Sequence, residues 1–338
     1  VNVTLQTKAL SFQTTRRAVF ACLLLLTITL AVAFLSLKAG AYPLSVSDLF
    51  RGLIGHLDDL ENMIVREHRL PRILVAIGAG AAFGMAGAMM QSMLRNPLAS
   101  PDVIGFTAGA NFGALLCVLI TGGMVVMGAL LGGLGAAILV TLLAWQNGLN
   151  TTRLILVGIG INLTLGAGAD LLLSWTDERI AADMARWLTG SLNTRSYGDV
   201  AMIWGGIALL TPLLAWLQFP LARLAMNDDT VTGLGIALTP TRLAVAGTSV
   251  ALVALSVSVA GPLPFVAFVA GPIARRIIRG GRPAIFAAAL VGAAVTLIAD
   301  LAARSVPLIQ LPAGVFTALI GAPVLLWLLV IQFRKGNF

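Results

Sequence analysis

The stretch from Arg69 to Gly113, RLPRILVAIGAGAAFGMAGAMMQSMLRNPLASPDVIGFTAGANFG, constrains the chain more than any other. Its first apolar run, Ile73 to Leu94, has about the 20 residues that a helix needs to cross hydrocarbon. A polar break follows, Arg95-Asn96-Pro97-Leu98-Ala99-Ser100-Pro101-Asp102. Its two prolines lack the backbone N–H that a continuing helix requires. Gly80 and Gly84 stand four apart, as do Gly105, Gly109 and Gly113. That spacing lines small residues along one helix face. Two readings follow: close packing of helix against helix, or a glycine-lined permeation path.

Composition carries the same message along the whole chain. Apolar residues make up 58% of the 338 and charged residues only 11%, against about 25% charged in an ordinary soluble domain. The long uncharged runs therefore belong in lipid. The formal net charge of +8 is not the footprint of a nucleic-acid binder, because the basic residues are scattered between apolar runs. Cys22 and Cys117 both lie inside apolar runs and read as small packing residues rather than as a disulfide or a zinc site. No cluster of metal-ligating residues is apparent, and no cofactor is expected.

Val1 to Arg17 is a short polar lead. Ala18 to Leu37 is the first long apolar run, and its length favours a retained spanning helix over a signal peptide, although Ala39-Gly40-Ala41 resembles a cleavage site. Gly40 to His68 is polar and reads as an exposed loop with one surface helix. The remaining runs are Ile73–Leu94, Val103–Ile120, Met124–Trp145, Leu154–Trp175, Val200–Leu217, Leu243–Ala260, Phe265–Ile273, Ala284–Ala299 and Val315–Ile331, about ten spans in all. Phe265–Ile273 is short for a crossing and is flanked by Gly/Pro clusters. The organisation expected is a lead at 1–17, one transmembrane domain at 18–333 and a cytoplasmic tail at 334–338.

Charge sets the orientation. With the N-terminus inside, the inner side collects Lys8, Arg16, Arg17, Arg95, Arg153, Arg223, Arg242, Arg275, Arg276, Arg279, Arg282, Arg334 and Lys335, against few acids (Asp102, Asp228 and Asp229). The basic residues of the outer side are outnumbered by its acids. Both termini are therefore expected in the cytoplasm. Asp170 and Asp300 fall near the outer ends of their segments. A carboxylate at the midplane, usual in an ion-coupled carrier, is not evident, which weakens but does not exclude a secondary transporter.

The chain has no G-x-x-x-x-G-K-[ST] loop, since none of Lys8, Lys38 and Lys335 follows a glycine. ATP-driven transport would therefore need a separate ATPase gripping the cytoplasmic side. The best surface for that grip is Ala222 to Arg242, the longest inner loop. There Asp228-Asp229-Thr230 complements a helix start, and Val231 and Leu234 suit a partner's groove. An ordinary connecting loop is the plainer alternative. On the outer side, Arg69, Arg72 and Arg304 suit either anchoring at the headgroups or docking of an acidic partner. Reversing Arg72 and Arg304 to Glu is expected to lower partner affinity with expression unchanged. Asn96 and Leu98, then Thr151, Thr152 and Leu156, sit at inner helix ends, where they serve as caps and packing or close a pore by contact.

The blocks RLPR at Arg69–Arg72, GAxxGMAGAMMQ ending at Gln91, RNPLASPDVIG at Arg95–Gly105 and Gly109, with the spacing between them, resemble the FecCD family. These are membrane subunits of bacterial ABC importers for iron–siderophores, haem and cobalamin. The likeness is nearest to the catecholate, ferric-enterobactin type and covers nearly the whole chain. It implies an all-α polytopic fold of the type II ABC importer, in the bacterial inner membrane, with no enzymatic activity of its own. It also implies a second permease subunit, two ABC ATPase subunits and a periplasmic siderophore-binding protein as partners, with membrane lipid around them and no nucleic acid.

By the same resemblance Arg69, Arg72 and Arg304 pair with glutamates of the binding protein. Asn96, Leu98, Thr151, Thr152 and Leu156 form the cytoplasmic gate. Asp228, Asp229, Thr230, Leu234 and Gly235 belong to the coupling helices at 222–242, although Asn227 stands where the family usually has glycine. Gly271-Pro272 replaces the family's Pro-His. The chain's own His56 and His68 read as solvated side chains of the outer loop. Cobalamin or haem as cargo, and an ion-coupled secondary transporter, remain the alternatives.

Overall fold

Leu70 to Met93 forms one uninterrupted helix made largely of Gly, Ala and Met, and nearly every residue of it is buried. The computed structural model describes residues 2–7, 10–40, 42, 44–54, 59–146, 148–279, 283–306 and 311–334. Lys8, His56, Arg282 and the tail from 335 onward lie outside the described residues.

The order along the chain begins with two strands, β1 (Asn2–Thr7) and β2 (Leu10–Thr15). The first helices are α1 (Arg16–Lys38), α2 (Val46–Ile54) and α3 (Asp59–Asn62). A wide π-type run, Met63–Arg69, leads into α4 (Leu70–Met93). A 3-10 turn at Pro101–Ile104 precedes α5 (Phe106–Thr121), α6 (Val125–Leu143), α7 (Thr151–Ser174) and α8 (Glu178–Leu188). Then come α9 (Tyr197–Arg223), α10 (Asp228–Gly233), α11 (Leu238–Ala260), α12 (Val266–Ile278), α13 (Ile285–Ser305) and α14 (Ala313–Arg334).

Each apolar run expected to span has become a helix. Among the described residues, eight helical stretches are long and apolar enough to cross a membrane, while α5, at 16 residues, and α12, at 13, are shorter. The polar lead is not irregular: β1 and β2 pair antiparallel with Asn2 opposite Thr15 and Thr7 opposite Leu10. The segment read as an exposed loop, 40–68, is largely helical, through α2, α3 and the π-type run.

Local chemistry sets the ends. Pro71 lies in the first turn of α4, where its missing N–H costs nothing. The helix stops where Arg95 turns left-handed, at φ 51°, and the Asn96 N–H reaches back to the Gln91 carbonyl at 3.1 Å. Asn150 caps α7, accepting from the N–H groups of Thr152 and Arg153. Ser196 and Asp199 form a reciprocal capping box at α9.

α4 is the axis of the bundle, packed against α13, α11, α12 and α9. The glycines decide how close that packing is. A Cβ added at Gly80 would collide with the Gly292 carbonyl, and one at Gly292 with the Gly80 carbonyl. Gly84 meets the Ala288 carbonyl in the same way. A second seam joins α5 to α6, where Gly109 and Gly132, then Gly113 and Gly128, face each other's carbonyls. Close helix packing is thus what these positions do. By contrast α7 and α9 bury only 17% of their apolar stretches, leaving sides for lipid or another chain.

A backbone carbonyl lies opposite each of these glycines, and backbone cannot swing aside as the end of a side chain can. Gly84→Ala is expected to lower thermal stability in detergent by roughly the 1–3 kcal/mol of an overpacked core. Gly135→Ala, with nothing within 4 Å of the added Cβ, should leave it unchanged.

Candidate functional site

The C-terminal ends of α1 and α13 and the N-terminal end of α4 meet at one carboxylate. Asp300 is wholly buried, and Arg72 grips it from α4 with Nε at 3.0 Å and Nη2 at 2.7 Å from Oδ1. Arg304, one turn along α13, lies 3.2 Å from the other oxygen. The second arm of Arg72 donates to Asn193 Oδ1 at 2.6 Å. Arg304 also donates to the Ser36 hydroxyl at the end of α1. Arg69, only 6% exposed, donates to the carbonyls of Leu37 and Tyr42 at 2.6 Å each. Carbonyls at a helix C-terminus lack intrahelical donors, so two arginines cap α1. Arg195 adds a fourth guanidinium, tying the Asn193 carbonyl to that of Val259.

All three arginines singled out for docking are therefore gathered in one place, with their guanidinium groups on the chain's own acceptors. This changes the expected outcome of reversing them. A carboxylate at position 72 or 304 would oppose buried Asp300, so expression would fall together with any partner affinity.

At the opposite end of the bundle the same logic recurs around Asp228. Its carboxylate accepts from Arg95 at 2.6 Å and from Arg242 at 2.8 Å on both oxygens. Arg95 also donates to the Leu224 carbonyl at 2.6 Å, and Arg242 to that of Leu149 at 3.2 Å. One carboxylate thus fastens α10 to the turn after α4, to the turn before α7 and to the first turn of α11. Desolvation works against the charge on Asp228, but the Arg242 and Arg95 guanidinium groups together outweigh it and hold the carboxyl below its ordinary value. Such a depressed group contributes stability that is complete above its unfolded pKa, about 4, and lost as pH falls through the folded value.

The rest of α10 is free. Asp229 and Thr230 are exposed, Leu234 is 57% exposed, and Gly235 turns the chain at φ 78°. Val231, expected to serve a partner's groove, is instead fully buried in this chain's own core. Asn227 needs no glycine-like freedom: at φ −67° it is the helix cap, its Oδ1 accepting from the Thr230 N–H at 3.1 Å.

The gate candidates fall into two groups that no described hydrogen bond joins. Asn96 Oδ1 accepts from the Leu98 N–H at 2.9 Å, shaping the turn after α4. Thr151 and Thr152 open α7 under the Asn150 cap, and Leu156 projects outward, 65% exposed.

Between the two ends, Phe83, Asp102, Thr107, Asn162, Pro262 and Phe265 line a cavity of about 220 Å³. Asn162 is the twelfth residue of α7, which places it about 16 Å along that helix at 1.5 Å per residue. Asp102 therefore sits at depth, not at the inner surface where its place in the sequence suggested. It accepts from the hydroxyls of Thr107 and Ser100. Asp170 is exposed on α7.

Sequence reasoning missed Ser36, Asn193 and Asn150. Their only signal is a common polar residue at a helix end, which many positions share.

The sequence pattern of the FecCD transport family matches residues 26–331. The chain is 39% identical over 324 residues to the ferric enterobactin transport system permease protein FepG of Escherichia coli, covering 95% of this chain and 98% of that protein. It is 34% identical to the achromobactin transport system permease protein CbrC of Dickeya dadantii, covering 91% and 90%. Its fold is similar to that of a metal-chelate type ABC transporter in an inward-facing conformation, with TM-score 0.83 and 29% identity, covering 92% of this chain and 98% of that one.

The two carboxylates give separable outcomes. Asp300→Asn is expected to lower thermal stability by roughly 3–5 kcal/mol, the cost of breaking a buried pair. Asp228→Asn should instead act locally, speeding amide hydrogen exchange across α10 while the outer half keeps its protection; equal acceleration throughout would contradict the tie described.

Proposed function

This chain belongs to the FecCD transport family, and from that premise we propose that it carries an iron(III)–siderophore of the catecholate, enterobactin-like class across the bacterial inner membrane. It is a permease component of an ABC importer and not an enzyme. The 39% identity to the ferric enterobactin permease supports the cargo class. A chelate carried whole needs no ligand cluster in the conduit. In this reading the partners are a related second permease, two ABC ATPases and a periplasmic siderophore-binding protein.

One observation carries the mechanism: α10 is pinned at its base by Asp228 and presents Asp229, Thr230 and Leu234 outward. A short helix held so rigidly transmits a push rather than absorbing it. In the proposed cycle a loaded binding protein docks on the outer mouths, where Arg72 and Arg304 share the Asp300 carboxylate and Arg69 and Arg195 lie on backbone carbonyls nearby. Their excess positive charge attracts an acidic partner at long range. The chelate enters between two permease subunits, whose facing sides include α7 with Leu156. ATP-driven closure of the ATPases then moves 222–242 through α10, and the contacts of Asn96, Leu98, Thr151, Thr152 and Leu156 exchange. The excess of Lys and Arg on the α10 side supports cytoplasmic termini. A single permease domain at 18–333 follows from the same reading.

Co-expression with an ATPase and binding protein of the same operon tests the grip and the cargo apart. Leu234→Asp should abolish co-purification of the ATPase and uptake of ferric enterobactin, while thermal stability stays at the parent value. Uptake of ferric citrate but not ferric enterobactin by the parent complex would overturn the cargo class alone.

A further inference from the structure

Pro272 stands in the middle of α12. It has no N–H to give the Phe268 carbonyl four residues back, so the helix ladder is broken there. The missing proton comes from another helix. Gln91 of α4 donates from Nε2 to the Phe268 carbonyl at 2.9 Å, with the Ala267 carbonyl at 3.4 Å. Its Oε1 accepts from Arg275 Nη2 at 2.9 Å. The carbonyl needs a donor and the guanidinium an acceptor, so the two partners fix the same orientation of the carboxamide. Gly271 makes the room, because a Cβ there would collide with Gln91 Oε1. Gln91 itself is 3% exposed.

Gly271, Pro272, Gln91 and Arg275 therefore form one device. Beyond Pro272 the helix carries Arg275, Arg276 and Arg279 towards the inner face, and Arg276 lies over the Trp327 ring of α14 at 4.9 Å. A helix interrupted by proline bends where its ladder is open, and one side chain from the rigid central helix closes that opening. The arrangement also leaves Arg275 Nη1 buried without a hydrogen-bond partner.

We propose that Gln91 is a positioning residue, an interhelical splint for the proline break, and that exchange of its bond to the Phe268 carbonyl is a hinge step that sets the angle of the inner half of α12 during transport. The proposal does not depend on which chelate is carried.

The test uses the full-length chain in lipid nanodiscs, with Cys22 and Cys117 replaced by serine and spin labels at Arg223→Cys and Arg279→Cys. The parent should give one narrow inter-label distance. Gln91→Glu keeps the shape and the contact to Arg275 but puts a carboxylate oxygen in place of the donor facing the Phe268 carbonyl; the distribution should double in width or split in two. Gln91→Leu should do the same. Adding Pro272→Ala to either variant restores a backbone N–H to the Phe268 carbonyl and should return the parent distribution. A parent-like distribution in Gln91→Glu, or broadening that Pro272→Ala fails to reverse, would overturn the splint.

Discussion

Backbone-to-backbone approach along α4 is the constraint on which the rest of the structure depends. In hydrocarbon, helices gain nothing from hiding apolar side chains from one another, so association rests on close van der Waals contact and on interhelical hydrogen bonds. Gly80 and Gly84 against Gly292 and Ala288 bring α4 and α13 so near that their carbonyls occupy the space where side chains would be. This closeness fixes the registry of the two helices. Arg72 then arrives beside Asp300 at one end of α4, and Gln91 beside α12 near the other. Neither polar contact would form if the seam slipped by one turn.

The two ends of the molecule solve the same electrostatic problem in different settings. Each places a single carboxylate between two arginines from distant parts of the chain. At Asp300 the site is dry, so each guanidinium is also served by carbonyls or by side-chain oxygens at the end of α1 or in the 191–195 loop. At Asp228 the carboxylate is 45% exposed, and water screens the pair. The Asp300 cluster therefore holds helices together, whereas the Asp228 cluster orients a short helix on the surface.

Much of this was legible in the sequence, for physical reasons. Spans follow from uninterrupted apolar length, and the glycine seams from i, i+4 spacing, because both are local properties. The placing of Arg69, Arg72 and Arg304 at helix ends is local too. Their inward direction is not, since it depends on Asp300, Ser36 and Asn193 arriving from elsewhere. Asp102 misled for a related reason: it follows the inner turn in sequence, yet the chain folds back beside Asn162. Asn227 looked like a defect against the family pattern, and only the cap geometry shows that asparagine does the work another way. The pairing of β1 with β2 escaped a reading that weighed the lead only by its polarity.

A bundle that must move needs its weak points in particular places. α4 cannot supply one, because glycine contacts on several sides leave it no alternative packing of similar energy. α5 and α6 are locked by their own seam. The proline within α12 is different, since its broken ladder is closed by one carboxamide rather than by backbone. Breaking that contact costs one hydrogen bond, on the order of 1 kcal/mol net, whereas separating α4 from α13 would expose whole glycine faces. In the proposed cycle, motion driven through α10 therefore follows the cheaper route, bending α12 and repositioning its arginines while the α4–α13 core keeps its registry.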